Sequence, residues 1–241
     1  MEKVLNYIKK MQFTPNIIGF FVNPFYFIRM DLYKKILSLS KNIQGDIIDV
    51  WCWSKPYKEL FQHCTSYIWA DIAKSWHDHT GEDIDCFYDG KEIPFEDNHF
   101  DGVICFEVLE HTLDPREFLK EIHRIVKKDW YVLLSTPLIM DEHEKPYDYQ
   151  RFTSFWLQKI FLDSGFDIIE NKKYLNDLSI LSQLFNTYIY KTIIQTRLPR
   201  NLSLFMIFII SLIGNCIWLI LKIFPKSEDM YLWNVILVKK I

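Results

Sequence analysis

The chain has 241 residues, 49% hydrophobic and 24% charged, which suits one or two globular domains with a sizeable core. That balance excludes disordered, collagen-like and disulfide-stapled classes. A net charge of −3 leaves no basic field to attract nucleic acid, and five scattered cysteines without a C-x-x-C pair point to a reducing compartment and no structural zinc.

In chain order, an apolar stretch from Ile17 to Ile28 is interrupted by Asn23 and Pro24 and carries no cleavage site, so it reads as a docking segment rather than a signal peptide. It leads into a helix from about Asp31 to Leu39, and residues 1–45 form this N-terminal segment. From Asp46 short apolar runs alternate with helical periodicity, the pattern of βαβ units and a mainly parallel sheet. Strands are predicted at Asp46–Val50, Ser66–Asp71, Asp85–Tyr88, Phe100–Phe106, Tyr131–Ser135 and Phe166–Glu170. A helix is expected from about Lys55. Another runs from Pro115 to Val126, with Phe118, Leu119, Ile122 and Ile125 on one face, and a third from Thr153 to Ser164. Residues 46–175 thus make a core. An apolar helical insertion follows over 176–228, and residues 229–241 hold a last strand, Asn234–Val238, that returns to the sheet.

Asp49-Val50-Trp51-Cys52-Trp53-Ser54-Lys55-Pro56-Tyr57 closes the first strand at the carboxyl edge, where such sheets bind ligands. Asp71 ends the second strand 22 residues on, placed to accept both hydroxyls of a ribose. Asp89-Gly90, Ile93-Pro94-Phe95, Phe100-Asp101 and Glu107-Val108-Leu109-Glu110-His111 follow in order. This ordered set resembles the class I S-adenosylmethionine-dependent methyltransferases of the methyltransferase type 11 kind, over about Asp46 to Glu170. The resemblance implies an α/β fold: a Rossmann-like seven-stranded sheet with helices on both faces, its last strand antiparallel. The flanks Asn23-Pro24-Phe25-Tyr26 and His143-Glu144-Lys145-Pro146-Tyr147-Asp148-Tyr149-Gln150-Arg151-Phe152 look like a branch associated with glycan or lipid-linked sugar biosynthesis.

By that resemblance, Asp49, Trp51, Cys52, Trp53, Asp71, Ile72, Asp89, Gly90 and Phe106 are expected to line the S-adenosylmethionine site. His111, Glu107, Tyr147 and Asp148 are expected at the reacting end, and His143, Tyr149 and Arg151 on the acceptor. Arg151 either binds a phosphate or carboxylate bidentately or braces the lid. The expected reaction is methyl transfer to an oxygen or nitrogen of a small or lipid-linked acceptor. A nicotinamide oxidoreductase does not fit, because Pro56 stands where the third glycine of G-x-G-x-x-G would be. His77-Asp78-His79 offers two histidines in one loop with no third ligand, and no metal is expected.

Glycine appears 7 times, where an average usage of about 7% gives roughly 17, and tryptophan appears 8 times. Both glycines of the family's D-x-G-x-G turn are tryptophan here, Trp51 and Trp53, and Trp69, Trp76, Trp130 and Trp156 also stand where glycine is expected. Glycine serves such a turn because the backbone approaches the ligand without a Cβ. One replacement residue, confined to one residue type, points to a reading frame in which UGA encodes glycine but is translated as tryptophan. If Trp51 and Trp53 are genuine, the alternative is an inactive methyltransferase-like binding module.

In the insertion, Leu178 to Ile194 is predicted helical with apolar positions Leu181, Leu184, Phe185 and Tyr188. Asn201 to Leu221 is an uncharged run, long enough to span a bilayer. Lys191, Arg197 and Arg200 precede it and Lys222 and Lys226 follow it, so both ends are expected to stay cytoplasmic, with Gly214-Asn215 breaking a shallow hairpin on the inner membrane face. Buried or dimer-forming helices are the other reading of this segment.

Overall fold

The apolar run Asp46–Val50 forms β1, which is buried along most of its length and lies in parallel between two neighbours. Ile48 is opposite Ile68 of β2 (Ser66–Ile72) on one side and Val103 of β4 (Phe100–Phe106) on the other. A computed structural model describes residues 16–50, 55–73, 84–196 and 198–241. β3 (Cys86–Tyr88) extends the sheet beyond β2, and β5 (Val126–Pro137) pairs in parallel with β4. β6 (Phe166–Tyr174) and β7 (Trp233–Lys240) complete seven strands in the order β3-β2-β1-β4-β5-β7-β6. β7 runs antiparallel to β5, with Leu237 opposite Leu133. The expected seven-stranded Rossmann-like sheet is therefore present.

Two short helices of the sequence pattern frame it. In α3 (Pro115–Ile125; α1 and α2 are described below), Asp114 caps the first turn by accepting the N–H groups of Arg116 and Glu117. The apolar stripe Phe118, Leu119, Ile122 and Ile125 packs on Val103, Val132 and Val238 of the sheet. α4 (Ser154–Asp163) starts at Thr153, whose side chain accepts the N–H of Trp156. The helix expected from Lys55 is, among the described residues, a single 3-10 turn over Lys58–Phe61. β5 begins five residues before its predicted start because Val126 already pairs with Phe100.

The chain divides into two compact units. One contains the sheet and its helices: Lys35–Leu138, Glu142–Lys172 and Trp233–Ile241. The other gathers the described residues up to Lys34, Ile139–Asp141 and Lys173–Leu232. It holds α1 (Ile17–Val22), the first part of α2 (Tyr26–Ser40), α5 (Ser179–Gln195) and α6 (Arg200–Leu221).

The helical unit corrects one expectation. α6 is one continuous helix, not a hairpin broken at Gly214-Asn215. Gly214 instead permits close packing: a Cβ there would lie 1.9 Å from Asn186 Oδ1 of α5. Ser182 near the start of α5 donates to the Gly214 carbonyl near the end of α6, so these two helices are the antiparallel hairpin. Its open end is tied by the Ser227 N–H on the Asn176 carbonyl and by Asn176 Nδ2 on the Ser227 carbonyl. α5 turns its polar face inward. Leu181, Phe185 and Tyr188 point outward, while Ser182, Gln183, Asn186 and Thr187 are buried. Gln183 and Asn186 both donate to the Pro24 carbonyl, and Asn215 of α6 donates to Phe20 and Asn23 carbonyls. The polar groups are inside because the irregular α1–α2 corner leaves carbonyls that need donors.

In the sheet unit, Lys240 is buried, and its ammonium donates to Asn98 Oδ1 and to the His123 and Val126 carbonyls at the end of α3. Lys240→Met keeps the stem but orphans those carbonyls, and a loss of about 2 kcal/mol in unfolding free energy is expected in urea titrations.

Candidate functional site

The acidic residues predicted from the motifs stand at the carboxyl ends of neighbouring strands. Asp49 of β1 is buried and accepts the Tyr67 hydroxyl. Asp71 of β2 is 1% exposed, and its Oδ1 accepts the Ile72 N–H at 2.7 Å. Beyond β3, Asp89 Oδ1 accepts the N–H groups of Lys91 (2.8 Å) and Glu92 (3.0 Å), which hold its carboxyl below the usual range. Gly90 beside it has φ +87°, a conformation that disfavours any Cβ. At the end of β4, Phe106 is buried and Glu107 is left-handed at φ +58°, its N–H donating to the Ser135 carbonyl. A strained non-glycine residue at a strand end is a mark of functional sites.

A cavity of about 730 Å³ brings together Ile72, Asp89 and Gly90 with His111, Tyr147 and Tyr149. Residues expected on the cofactor thus share one space with residues expected on the reacting and acceptor side. The cavity is also lined by Thr112, Leu113 and Asp114 before α3 and by Glu117, Phe118 and Lys120 in its first turns; of these the sequence reading named only Phe118, as core. Phe118 could not be singled out because its helical spacing is that of an ordinary core stripe. Trp51, Cys52 and Trp53, and with them His77-Asp78-His79, lie outside the described residues.

Behind this cavity a second group of side chains is tightly interlocked. The N–H groups of Tyr149 and Gln150 donate to the Glu110 carbonyl at 3.0 and 3.2 Å, strapping the loop after β5 onto the 3-10 turn Leu109–His111. Glu110 itself is fully buried; its Oε2 accepts the Thr136 hydroxyl at 3.1 Å, and burial with Glu107 nearby pushes its carboxyl well above the usual value. His111 Nδ1 is 3.0 Å from the Tyr147 carbonyl. A carbonyl only accepts, so Nδ1 carries the proton and Nε2 keeps a lone pair. Burial, reinforced by His143, pushes the His111 imidazole down and keeps it neutral.

Asp148, expected at the reacting end, has a buried side chain and is not among the residues that line the cavity. Arg151 holds it bidentately, Nη1 to Oδ1 at 2.5 Å and Nη2 to Oδ2 at 2.7 Å, and the His143 N–H donates to Oδ2 at 2.9 Å. Burial alone would raise the Asp148 carboxyl, yet these donors outweigh it and hold it low. Through Asp148, Arg151 braces this loop, one of the two roles read for it. Asp148→Asn should lower stability by about 2 kcal/mol in urea titrations, since hydrogen bonds to charged groups are worth roughly 1.5–3 kcal/mol. The Asp148→Asn/Arg151→Ala pair should lose less than the sum of the single changes.

Residues 53–134 match a family model described as a methyltransferase domain. No curated protein matches the sequence. Among solved structures, a SAM-dependent methyltransferase from Archaeoglobus fulgidus is similar at 16% identity and TM-score 0.57, over 98% of this chain and 99% of that one. Phosphoethanolamine N-methyltransferase 2 from Haemonchus contortus, solved in complex with S-adenosyl-L-methionine, matches at 16% identity and TM-score 0.53, over 87% of this chain and 52% of that one. The [4+2]-cyclase SpnF matches at 13% identity and TM-score 0.58, over 89% and 82%.

Proposed function

We propose that this chain is a class I S-adenosylmethionine-dependent methyltransferase, a reading supported by the methyltransferase-domain match over residues 53–134, and that it methylates an oxygen or nitrogen of a small-molecule or lipid-linked glycan acceptor at a membrane surface. The observation that carries the reading is the single cavity joining Ile72, Asp89 and Gly90 to His111, Tyr147 and Tyr149. The cofactor fits the residues present: a Cβ at Gly90 would meet nothing closer than Ile72 Cδ1 at 3.6 Å, so the space beside β3 is open, and a buried carboxylate closes β2. Asp71 would accept the ribose hydroxyls, Ile72 would pack on the base, and Asp89 and Gly90 would border it, with Asp49 and Phe106 behind. S-adenosylmethionine supplies a methyl group on a sulfonium, and the chain's task is to position an acceptor in line with it. His111 Nε2, neutral and backed by the Tyr147 carbonyl, takes the acceptor proton. Tyr147 and Tyr149 contact the acceptor.

The helical unit supports the membrane part of the reading. Apolar side chains face out on α1 (Ile17, Ile18, Phe21), α5 (Leu181, Phe185, Tyr188) and α6 (Leu204, Phe205, Phe208, Ile217, Ile220), while the polar ones are inside. The most apolar 18-residue window of Asn201–Leu221 has mean hydropathy 2.6, and only 22% of it is buried. The core helix of a soluble protein is as apolar but mostly buried, so it is the exposure of this helix that supports the reading. The tied base of the α5–α6 hairpin keeps both of its ends on one side of a bilayer, and the flanking Lys and Arg residues favour the cytoplasmic face.

The tryptophan excess supports reading UGA as glycine in the parent gene. At Trp69 the indole is buried and its Nε1 has no hydrogen-bond partner among the described residues. Neither Trp69 nor Trp130 has a left-handed φ, so at these two positions glycine is not required by backbone conformation.

Three measurements test the reading. Sequencing the gene should give UGA at codons 51, 53, 69 and 130; UGG there overturns the recoding. In a protein made with glycine at those positions, Asp71→Ala should weaken S-adenosylhomocysteine binding by about 1–3 kcal/mol in calorimetry. His111→Ala should leave that affinity nearly intact and lower turnover. Finally, the protein should float with vesicles containing anionic lipid, and Phe205→Asp with Phe208→Asp should release it; a detergent-free monomer that ignores vesicles rejects the membrane part.

A further inference from the structure

Glu110, His111 and His143 bring a carboxylate oxygen and two imidazole nitrogens within 4.8 Å of one another. His143 comes from the loop after β5, and its ring centroid lies 4.9 Å from that of His111. A second observation points to a ligand. Glu110 is fully buried, and while Oε2 accepts the Thr136 hydroxyl, Oε1 has no hydrogen-bond partner among the described residues. Buried polar atoms are almost always satisfied, and one that is not calls for a missing partner. The surroundings are those of a metal site rather than of three loosely placed side chains. The Tyr147 carbonyl accepts the Nδ1–H of His111, which leaves the lone pair on Nε2 to bind a metal. Asp148 Oδ2 lies 3.4 Å from His143 Nδ1, and Arg151 in turn fixes Asp148. Backing carbonyls and carboxylates of this kind orient histidine ligands and set their tautomers.

We propose that Glu110, His111 and His143 bind a divalent first-row transition ion, with coordination positions left open toward the cavity. Two imidazoles and one carboxylate suit such an ion and not calcium or magnesium, which prefer oxygen. His111 is common to this site and to the cavity, so an open position on the ion faces the space assigned to the acceptor. In the methyl-transfer reading, on which this clause alone rests, the bound ion takes the His111 Nε2 lone pair and so replaces that imidazole as base: it would acidify an acceptor hydroxyl held on it and favour oxygen over nitrogen as the methylated atom.

The test uses the full chain, stripped with a chelator and kept in mild detergent, without cofactor. Cobalt(II) is titrated in and followed by its visible absorption, and zinc(II) by calorimetry. One ion per chain is expected. Glu110→Gln and His143→Ala should abolish the cobalt spectrum. Asp148→Asn, a positioning change, should weaken binding about 10–100-fold. A variant with both His77→Ala and His79→Ala should bind as the parent does. Absence of saturable binding overturns the site, as does binding that survives His143→Ala or that is lost with His77 and His79. Circular dichroism reports whether each variant is folded, and His143→Gln, which keeps the bulk, replaces the alanine change if that one unfolds. Because no methyl donor is present, failure here is distinct from failure of the methyltransferase reading, which the S-adenosylhomocysteine titration decides.

Discussion

The main-chain carbonyl of Glu110 accepts two N–H groups, from Tyr149 and Gln150, and this one junction organises the reactive end of the protein. It holds the loop that follows β5 against the turn that follows β4. Through it Tyr147 reaches His111, His143 reaches His111 and Glu110, and Tyr149 reaches the cavity. The Asp148–Arg151 pair stiffens the same loop from within. The junction costs the burial of a whole glutamate, which a loop made only to connect β5 and α4 would not require.

The sheet was legible because its strands are continuous apolar runs ended by acids. Asp46–Val50 and Phe100–Phe106 are buried on both faces, and burial on both faces is what an unbroken run encodes. Asp71, Asp89 and Glu107 could be placed because a strand end is a position in the sequence as much as in space. The Glu110–His111–His143 cluster was not legible. His143 lies 32 residues beyond His111, and only the parallel β4–β5 pairing brings the two following loops to the same edge. Sequence spacing drew attention instead to His77 and His79, where neighbours in the chain supply only two ligands. Arg151 was visible as a cation, yet its partner Asp148 is three residues away in an irregular loop, where no helical or strand period predicts who faces whom.

In the helical unit periodicity placed α5 and α6 but left open which face of each turns inward, because apolar side chains turn inward only where water is the solvent. Here Ser182, Gln183, Asn186 and Asn215 are the interior, each occupied with a carbonyl or packed on one. Gly214 likewise read as a helix breaker. Its real service is contact distance, since Asn186 fills the space where its Cβ would be. Short polar side chains and a glycine between apposed helices are how helices associate where the surrounding medium is as apolar as leucine.

The strand order β5-β7-β6 has a consequence for how the chain is made. β7 is the last strand to be synthesised, yet it fills the slot between two strands that precede it. Until Trp233–Lys240 leaves the ribosome, β5 presents an open edge and β6 has no neighbour to pair with. At about 5–20 residues per second, translation from Tyr174 to Lys240 keeps that edge open for several seconds. During that interval α5 and α6 emerge with their apolar faces uncovered. A nascent chain of this order exposes its most apolar helices and its unfinished sheet at the same moment, so the arrival of β7 ends the exposure of the sheet edge but not that of the helices.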